Sequence, residues 1–596
     1  MEIDTVGRPR NVGWARAAAL IYGDWGTSKA YVIGLALYSV GFSALPHLLA
    51  VCAVTGLVGI NYIWICKHFP NGGGVYTAAG LHSRRLAMIG GLLLLADYIV
   101  TASLSCLDGF HYLGFDQEAA KKWAITAIFI IGAINFFGPR HSGAVAVWLA
   151  IPTIMTVAVL IAAGTPHLNH FHPEPPKEGF LHNWVAFVGM ILALSGVEAA
   201  ASSTGVLRLD PDASFDRPSV NRTSRRAILV VMAEVVLGTA ILSVLAMCLP
   251  DEAVKHENDL LRYMGEVFIS QKFGLIVGWV FGVLLLSAVN TAISGMISLL
   301  YVMARDKEIP ETFSHLNNHG VPWVALMIAT VLPVIVLNVD DSVTGLASLY
   351  AIGVVGAIVI NIGSCAFAKQ RLKLKNYEQY TMFATFILLG LIWITIALTK
   401  LTALIFVIVI LVIGLALREI TQRRRRAMPA PAVIGVGVPL APAPMPIVAP
   451  SAPAEPTPSY EGRFLGETIL VAARGWTPAL QFALEESKLR DAQLLVLFIR
   501  EVNIQIDRQG DWRNDFQARE LFSRVLSEAH DSKIKPLYTT SDSPADTIID
   551  IAATFGADTV VLGGTRRATL VHMLKGNVVA QVASNLPESM HVIVIG

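Results

Sequence analysis

The sequence predicts a polytopic α-helical membrane protein that carries a soluble α/β domain at its carboxyl end. The chain of 596 residues is 54% hydrophobic and only 15% charged, and its mean hydropathy is +0.58. Soluble domains are typically about 25% charged, so this composition is typical of a membrane protein. The second observation is a change of pattern near residue 427, where long apolar runs give way to short ones that alternate with amphipathic stretches. The start of the chain, MEIDTVGRPR, is polar, and we expect no cleavable signal peptide.

Twelve apolar runs are long enough, or nearly so, to cross a bilayer, which requires roughly 20 helical residues. They lie at 17–40, 45–66, 87–112, 123–138, 144–164, 184–205, 227–249, 273–303, 322–338, 344–367, 380–398 and 401–418. The loops that join even-numbered to odd-numbered runs carry most of the Lys and Arg residues, including Arg222, Arg225 and Arg226. Because positive loops face the cytoplasm, we expect both termini inside, in a bacterial inner membrane.

The first and sixth runs are each interrupted near the middle. The first reads GDWGTSK over 23–29, which places two glycines beside Asp24 and Lys29 at membrane depth. The sixth reads LSGVEA over 194–199, and there Glu198 follows a glycine. Charges at this depth are costly unless they are paired or solvated, and interrupted helices survive where they line a cavity. The two matching positions predict a pair of broken helices that meet around a bound solute, with Glu198 as a proton carrier.

After the membrane spans the chain changes character twice. Residues 427–460 are rich in Pro and Ala, which predicts an extended, semi-rigid linker between a membrane domain at 1–426 and a soluble domain at 461–596. In the soluble domain, strands are expected at 466–474, 492–501, 533–540, 558–564 and 590–596, and helices at 478–489, 514–530, 544–556 and 576–586. Alternating strands and helices predict a parallel sheet covered on both faces.

Four segments together resemble the APC (amino acid, polyamine, organocation) superfamily over residues 15 to about 420. They are GDWGTSKAY, FPNGGGVY at 69–76, SGVEA, and VMARDKEIP at 302–310. The resemblance implies a LeuT-like fold of two inverted five-helix repeats, and a secondary transporter rather than an enzyme. Within the superfamily, Asp24 followed seven residues later by Tyr31 resembles the KUP and KimA type of potassium–proton symporter.

The resemblance also implies a cation site and a coupling acid. The residues that it assigns to potassium are Asp24, Tyr31, Thr101, Ser105, Ser195 and Tyr350, and Glu198 is assigned to proton coupling. Oxygen ligands of these kinds replace the hydration shell of a monovalent cation. Thr101 and Ser105 are four residues apart, so they share one face of a helix.

Lys29 departs from the pattern of potassium symporters. Its ammonium would either occupy the cation site, or pair with Asp24 or Glu198 and take part in proton coupling. Both alternatives would weaken the case for potassium and favour a proton-coupled permease that needs no bound metal ion. A fixed carboxylate at Asp24 would, however, repel the carboxylate of an amino-acid substrate, so we expect potassium first and amino acids or another organic amine second. A third alternative is a transceptor, in which the membrane part senses a solute and the soluble domain signals.

The soluble domain resembles the universal stress protein family, whose phosphate loop runs G, two residues, G, nine residues, G, then Ser or Thr. That register places Gly563, Arg566, Gly576 and Asn577 in the loop, and Arg474 where the family has an Asp. Because of these substitutions, adenine nucleotide or cyclic di-AMP binding and a dimerising role without nucleotide stay open as alternatives. The acidic and basic totals, 44 and 45, give no support for nucleic-acid binding. His167, His170 and His172 lie in a Pro-rich loop, and we predict no resident metal or required cofactor.

Overall fold

The computed structural model describes most of the chain. The described residues are 4–5, 10, 12–72, 74–138, 143–176, 179–194, 196–213, 217–427, 467–502, 512–528, 533–564, 577–587 and 590–595. The predicted linker at 427–460 therefore lies outside them except for its first residue, and the proposed domain boundaries stay predictions.

Helices make up the membrane part. They follow a two-residue strand, β1 (Asp4–Thr5), and are α1 (Trp14–Trp25), α2 (Ser28–Val40), α3 (Leu45–His68), α4 (Val75–Gly80), α5 (Arg84–Tyr112), α6 (Gln117–Phe136), α7 (Gly143–Gly164), α8 (Phe180–Gly189), α9 (Val197–Ser202), α10 (Asn221–Ala246), α11 (Leu260–Phe268), α12 (Gln271–Arg305), α13 (Trp323–Val339), α14 (Val343–Phe367), α15 (Lys369–Leu372), α16 (Asn376–Thr399) and α17 (Leu401–Ala427).

The predicted membrane spans correspond to these helices. Within the described residues, nine helical stretches are long and apolar enough to cross a membrane, and one of them, Trp14–His68, contains the first two predicted spans. The ninth span is the shorter helix Trp323–Val339, and the sixth is divided between α8 and α9. The prediction of a polytopic helical membrane protein is confirmed.

The outer helices carry large apolar side chains on their free surfaces. Trp148 on α7 is 77% exposed and Leu398 on α16 is 80% exposed, whereas α5 is buried along most of its length. A surface of this kind is stable only when lipid covers it, so α5 lies at the centre of the bundle and α7, α16 and α17 lie at its rim. All five cysteines are buried and unpaired with one another, as small apolar residues would be.

The carboxyl-terminal domain is a parallel sheet with helices on both faces, as predicted. Its elements are β2 (Thr468–Ala472), α18 (Pro478–Leu489), β3 (Gln493–Glu501), α19 (Phe516–Glu528), β4 (Ile534–Ser541), α20 (Pro544–Phe555), β5 (Thr559–Gly563), α21 (Val578–Asn585) and β6 (His591–Ile595). The strand order is β1-β4-β3-β2-β5-β6. One core packs α18 and α19 against the sheet, and a second core packs α20 and α21 against its other face.

The two ends of the chain meet in this sheet. Strand β1 pairs in parallel with β4, with Asp4 opposite Leu537 and Thr5 opposite Tyr538. At the end of β3, the backbone of Glu501 approaches Gly320 so closely that a Cβ on this glycine would lie 2.3 Å from the Glu501 carbonyl oxygen. The soluble domain therefore contacts the membrane domain at the loop that follows α12.

Candidate functional site

The first span is interrupted where the sequence predicted. Helix α1 ends at Trp25, and α2 begins at Ser28. The Thr27 hydroxyl donates to the carbonyl oxygen of Asp24 at 2.5 Å, and the Ser28 hydroxyl donates to that of Trp25 at 2.8 Å. Side-chain hydroxyls thus satisfy carbonyls at the interruption, where regular helical hydrogen bonds end.

The sixth span is interrupted at the matching position, and the two interruptions touch. Between α8 and α9 the chain turns at Gly196, whose φ of +83° lies in the left-handed region that favours glycine. A Cβ on Gly196 would lie 2.4 Å from the backbone nitrogen of Trp25. Only a glycine allows this approach of two backbones. Ser195, one of the predicted cation ligands, lies outside the described residues.

Three buried carboxyl groups surround this contact. Asp24 ends α1, Glu198 begins α9, and Asp97 lies in the middle of α5; their residues are 3%, 4% and 1% exposed. Each carboxylate interacts electrostatically with the other two. We call Asp24, Asp97 and Glu198 the acidic cluster. Like charges in a buried site raise the free energy of one another, so the cluster requires protons or a bound cation to offset its charge.

Hydroxyl groups from three helices lie beside the acidic cluster. The Thr101 hydroxyl donates to the carbonyl oxygen of Asp97 at 2.9 Å and lies 3.3 Å from its Oδ1. Tyr350 on α14 interacts with Asp97, Glu198 and Tyr31. The Tyr31 hydroxyl lies 3.4 Å from the Thr27 hydroxyl.

Ser105 is buried one turn beyond Thr101 on α5. In the described part of the chain, no hydrogen bond joins Ser105 to the acidic cluster. The structure therefore brings Asp24, Tyr31, Thr101, Glu198 and Tyr350 together, and it shows Ser105 as a buried hydroxyl on the same helix as Thr101.

Several polar atoms at this site have no hydrogen-bond partner among the described residues. They are Oδ2 of Asp97, Oε2 of Glu198 and the hydroxyl oxygen of Tyr350, and all three are buried. Buried polar atoms are normally paired, because desolvation without a partner is costly. Unpaired oxygens converging from three helices are what a dehydrated cation requires.

Lys29 forms an ion pair with Glu234, a residue that the sequence analysis did not name. Its ammonium contacts both carboxylate oxygens of Glu234 on α10 at 2.7 Å, and the side chain of Lys29 is fully buried. The sequence predicted the ammonium in the cation site or beside Asp24 or Glu198, whereas the described contacts of Lys29 are with Glu234 and Tyr22. Glu234, which lies outside the acidic cluster, is therefore the carboxylate that pairs with Lys29.

Two of these acids, Asp97 and Glu234, are absent from the predicted site. Asp97 lies four residues before Thr101 inside the third apolar run, and Glu234 lies inside the seventh. An ionisable residue within an apolar run is itself a signal of a functional site, and this rule identifies both positions.

The segments that resemble the APC superfamily also contact one another away from the two interruptions. Tyr76, at the end of FPNGGGVY, donates to Asp306 of VMARDKEIP at 3.0 Å, and Arg84 contacts the same carboxylate at 3.1 Å. The hydroxyl of Thr204, which follows α9, donates to the Phe69 carbonyl oxygen at 2.7 Å and accepts from the Gly72 amide. The segment after the second interruption is thus fixed to the turn between the second and third spans.

The carboxyl-terminal domain offers a second candidate site at the edge of its sheet. Strand order reverses between β2 and β5, and in sheets of this kind ligands bind outside the carboxyl ends of the strands at that point. Gly563 ends β5 there. Arg474, which follows β2, forms an ion pair with Glu501 at 2.8 Å. Asn577 caps α21 through hydrogen bonds from the backbone amides of Val579 and Ala580.

The residues at this second site fit a nucleotide poorly. Arg474, where the resemblance implies an acid, is paired with Glu501, and the Asn577 side chain is occupied as a helix cap. Gly576 and Arg566, the other predicted phosphate-loop residues, lie outside the described residues.

The described His, Cys, Asp and Glu residues include no group of three or more placed to hold a resident metal ion. This set includes the three histidines at 167, 170 and 172. A cation at the acidic cluster would therefore depend on hydroxyl and carbonyl oxygens as well as on carboxylates.

Two interrupted helices in contact, within a bundle whose rim is apolar, define a multi-pass membrane protein of the transporter kind. Comparison with protein families agrees. Residues 12–436 match the family described as amino acid permease, which is more than half of the chain, and residues 467–593 match the universal stress protein family. The chain belongs to the amino acid permease family and carries a universal stress protein domain.

The individual relatives share less than 30% sequence identity with this chain. The potassium transporter KimA of Bacillus subtilis is 23% identical over 340 residues, which are 55% of this chain and 56% of KimA. A probable amino-acid permease of Schizosaccharomyces pombe is 24% identical over 212 residues, 33% of this chain and 40% of that protein. A probable potassium transport system protein Kup of Rhizobium johnstonii is 27% identical over 215 residues, 31% of this chain and 34% of that protein.

The chain thus spans about half of the length of KimA and less of the other two relatives. Among solved structures, a manganese transporter of Eremococcus coleocola aligns with a TM-score of 0.45 and 14% identity. That alignment covers 70% of this chain and 94% of the manganese transporter.

Proposed function

We propose that the chain imports potassium together with protons by alternating access, across a membrane that leaves both termini in the cytoplasm. The observation that carries this proposal is the acidic cluster of Asp24, Asp97 and Glu198 at the contact between two interrupted helices. Relatives named as potassium transporters, KimA and Kup, support the choice of potassium.

The charge of the site accounts for coupling. Lys29 is held by Glu234, and the acidic cluster carries up to three negative charges in a buried site. A potassium ion offsets one charge, and protons offset the rest. Because the carboxylates interact with one another, binding of potassium and binding of protons affect each other in the same site.

The proposed ligands divide into two groups. Asp24, Tyr31, Thr101 and Tyr350 bind the potassium ion, together with Ser195 and Ser105 as further hydroxyl ligands. Asp97 acts with Asp24 as a carboxylate ligand. Glu198 carries the proton, because its Oε2 is buried without a hydrogen-bond partner among the described residues.

The test is rubidium uptake in a bacterium that lacks its own potassium transport. We expect the wild-type chain to restore uptake and Glu198→Gln to abolish accumulation driven by a proton gradient. The matched control is Glu118→Gln, which neutralises an exposed acid in an i,i+4 pair with Lys122 and leaves uptake unchanged. Absence of rubidium uptake by the wild-type chain would refute the proposal.

A second candidate function is proton-coupled transport of amino acids. The family match and the relative from Schizosaccharomyces pombe favour it. The same cells distinguish the two functions: uptake of a radiolabelled amino-acid mixture that is unaffected by potassium, without rubidium uptake, would establish the permease. Ligand binding without any flux would instead indicate a transceptor.

The carboxyl-terminal domain is proposed as a regulatory domain that acts through its contact with the membrane domain. The Arg474–Glu501 pair makes ATP a poor ligand, so calorimetry on the full-length protein is expected to show no ATP binding tighter than about 1 mM. Cyclic di-AMP is titrated in the same experiment. Dimerisation through this domain is tested by light scattering of the full-length protein.

A further inference from the structure

An ion pair between the fully buried Lys29 and the partly buried Glu234 joins both halves of the interrupted first span to the seventh span. Glu234 lies on α10 and accepts hydrogen bonds from Lys29 on α2, with both oxygens 2.7 Å from the ammonium nitrogen. Its Oε1 also accepts from the hydroxyl of Tyr22 on α1 at 3.1 Å. Glu234 therefore contacts one residue before the interruption and one residue after it.

The ammonium of Lys29 has a complete set of partners in this arrangement. Besides the two carboxylate oxygens it donates to the Tyr22 hydroxyl at 3.2 Å, so each of its three protons has an acceptor. The nitrogen also lies 5.0 Å from the centre of the Tyr22 ring.

The position of this pair matters because an ammonium ion is a monovalent cation. Asp24 of the acidic cluster lies only five residues before Lys29, across the turn that interrupts the span. Carboxylates that bind potassium also bind a lysine ammonium, and a side chain attached to the same polypeptide a few residues away is present at a high effective concentration. Without a partner of its own, Lys29 would compete with the transported ion.

We propose that Glu234 is a specificity-determining residue that sequesters Lys29 and thereby leaves the acidic cluster available to an external monovalent cation. This inference rests on the proposed function. The physical reason is that a buried ammonium deprived of its carboxylate cannot stay unpaired, and the acidic cluster supplies the alternative carboxylates. Glu234 does not touch the transported ion, and it acts through the position of Lys29.

The expected effect follows from the fraction of molecules in which the site is open. If the ammonium occupies the acidic cluster in about nine-tenths of the molecules, the apparent affinity for the external cation falls about tenfold. Competition of this kind raises the KM for rubidium and leaves the maximal rate per molecule unchanged at saturating rubidium.

The experiment measures KM and maximal rate of rubidium uptake for the full-length protein, normalised to the amount in the membrane. Glu234→Gln is expected to raise KM about tenfold, whereas Lys29→Met does not raise it, because no ammonium remains. The double variant Lys29→Met with Glu234→Gln returns KM to that of Lys29→Met. A purely structural ion pair would instead lower protein amount or maximal rate for both single variants and leave KM unchanged.

The outcomes separate this inference from the proposed function. Wild-type uptake with an unchanged KM in Glu234→Gln overturns the inference alone, and so does a raised KM that removal of Lys29 does not reverse. No rubidium uptake by the wild type overturns both. If Glu234→Gln does not reach the membrane, Glu234→Asp replaces it, since the shorter acid holds the ammonium less well; an unchanged KM there also overturns the inference.

Discussion

Replacement of Gly196 by alanine tests the contact between the two interruptions directly. Gly196 has a φ of +83°, and a residue with a Cβ in the left-handed region costs about 1–2 kcal/mol. The added Cβ would lie 2.4 Å from the backbone nitrogen of Trp25 and 2.8 Å from the carbonyl carbon of Asp24. Backbone atoms cannot rotate away as a side chain can, so overpacking adds about 1–3 kcal/mol.

The two contributions together predict a loss of about 2–5 kcal/mol in the free energy of unfolding for Gly196→Ala. The assay is thermal unfolding of the purified protein in detergent, together with rubidium uptake in cells. We expect a lower Tm and a loss of uptake, because separation of the interruptions moves Asp24 away from Glu198.

Gly189 provides the matched control for this experiment. It lies on α8 in the same span, and an added Cβ there would meet no atom within 4 Å. Gly189→Ala is therefore expected to retain the wild-type Tm and uptake. If Gly196→Ala also retained both, the close approach of the two backbones would not be required, and the reasoning about the site would fail.

Three further substitutions test the site and its surroundings. Asp97→Asn removes one charge from the acidic cluster and should reduce proton-driven rubidium uptake at least tenfold, by about 1.4 kcal/mol or more; unchanged uptake would exclude Asp97 from the site. Tyr350→Phe removes one hydroxyl ligand and should raise KM roughly two- to tenfold, from the usual strength of one hydrogen bond. In the wild type, Nε of Arg418 lies 2.5 Å from Oε2 of the buried Glu308. Arg418→Met removes this partner and should lower the free energy of unfolding by about 3–5 kcal/mol, measured by thermal unfolding. Lys122→Met, in an exposed pair, is its control and should leave Tm unchanged.

Most of the fold could be predicted because bilayer thickness fixes the length of an apolar run. The predicted span at 87–112 corresponds to α5 at Arg84–Tyr112, and that at 344–367 corresponds to α14 at Val343–Phe367. The interruptions could also be predicted, since a glycine beside a charge at membrane depth leaves few alternatives. Local composition therefore determined the architecture.

The partner of Lys29 could not be predicted in the same way. Which carboxylate an ammonium meets depends on the rotation of α2 against α10, and 205 residues separate Lys29 from Glu234. Asp97 is a different case. It is an acid within the apolar run at 87–112 and could have been predicted from that position, but the prediction for this run named only the hydroxyl residues Thr101 and Ser105. Strand β1 could not be predicted from the sequence, because it is only two residues long and lies in a polar segment.

That short strand has a consequence for how the soluble domain is handled. In the full chain, Asp4 and Thr5 cover part of the outer side of β4, which is the margin of the sheet on that side. A fragment that begins after the membrane spans would lack β1 and would leave β4 as an unpaired edge strand. Unpaired edge strands form hydrogen bonds with strands of other molecules. Self-association of such a fragment would then result from the loss of β1. It would not indicate how many copies of the intact protein assemble in the membrane.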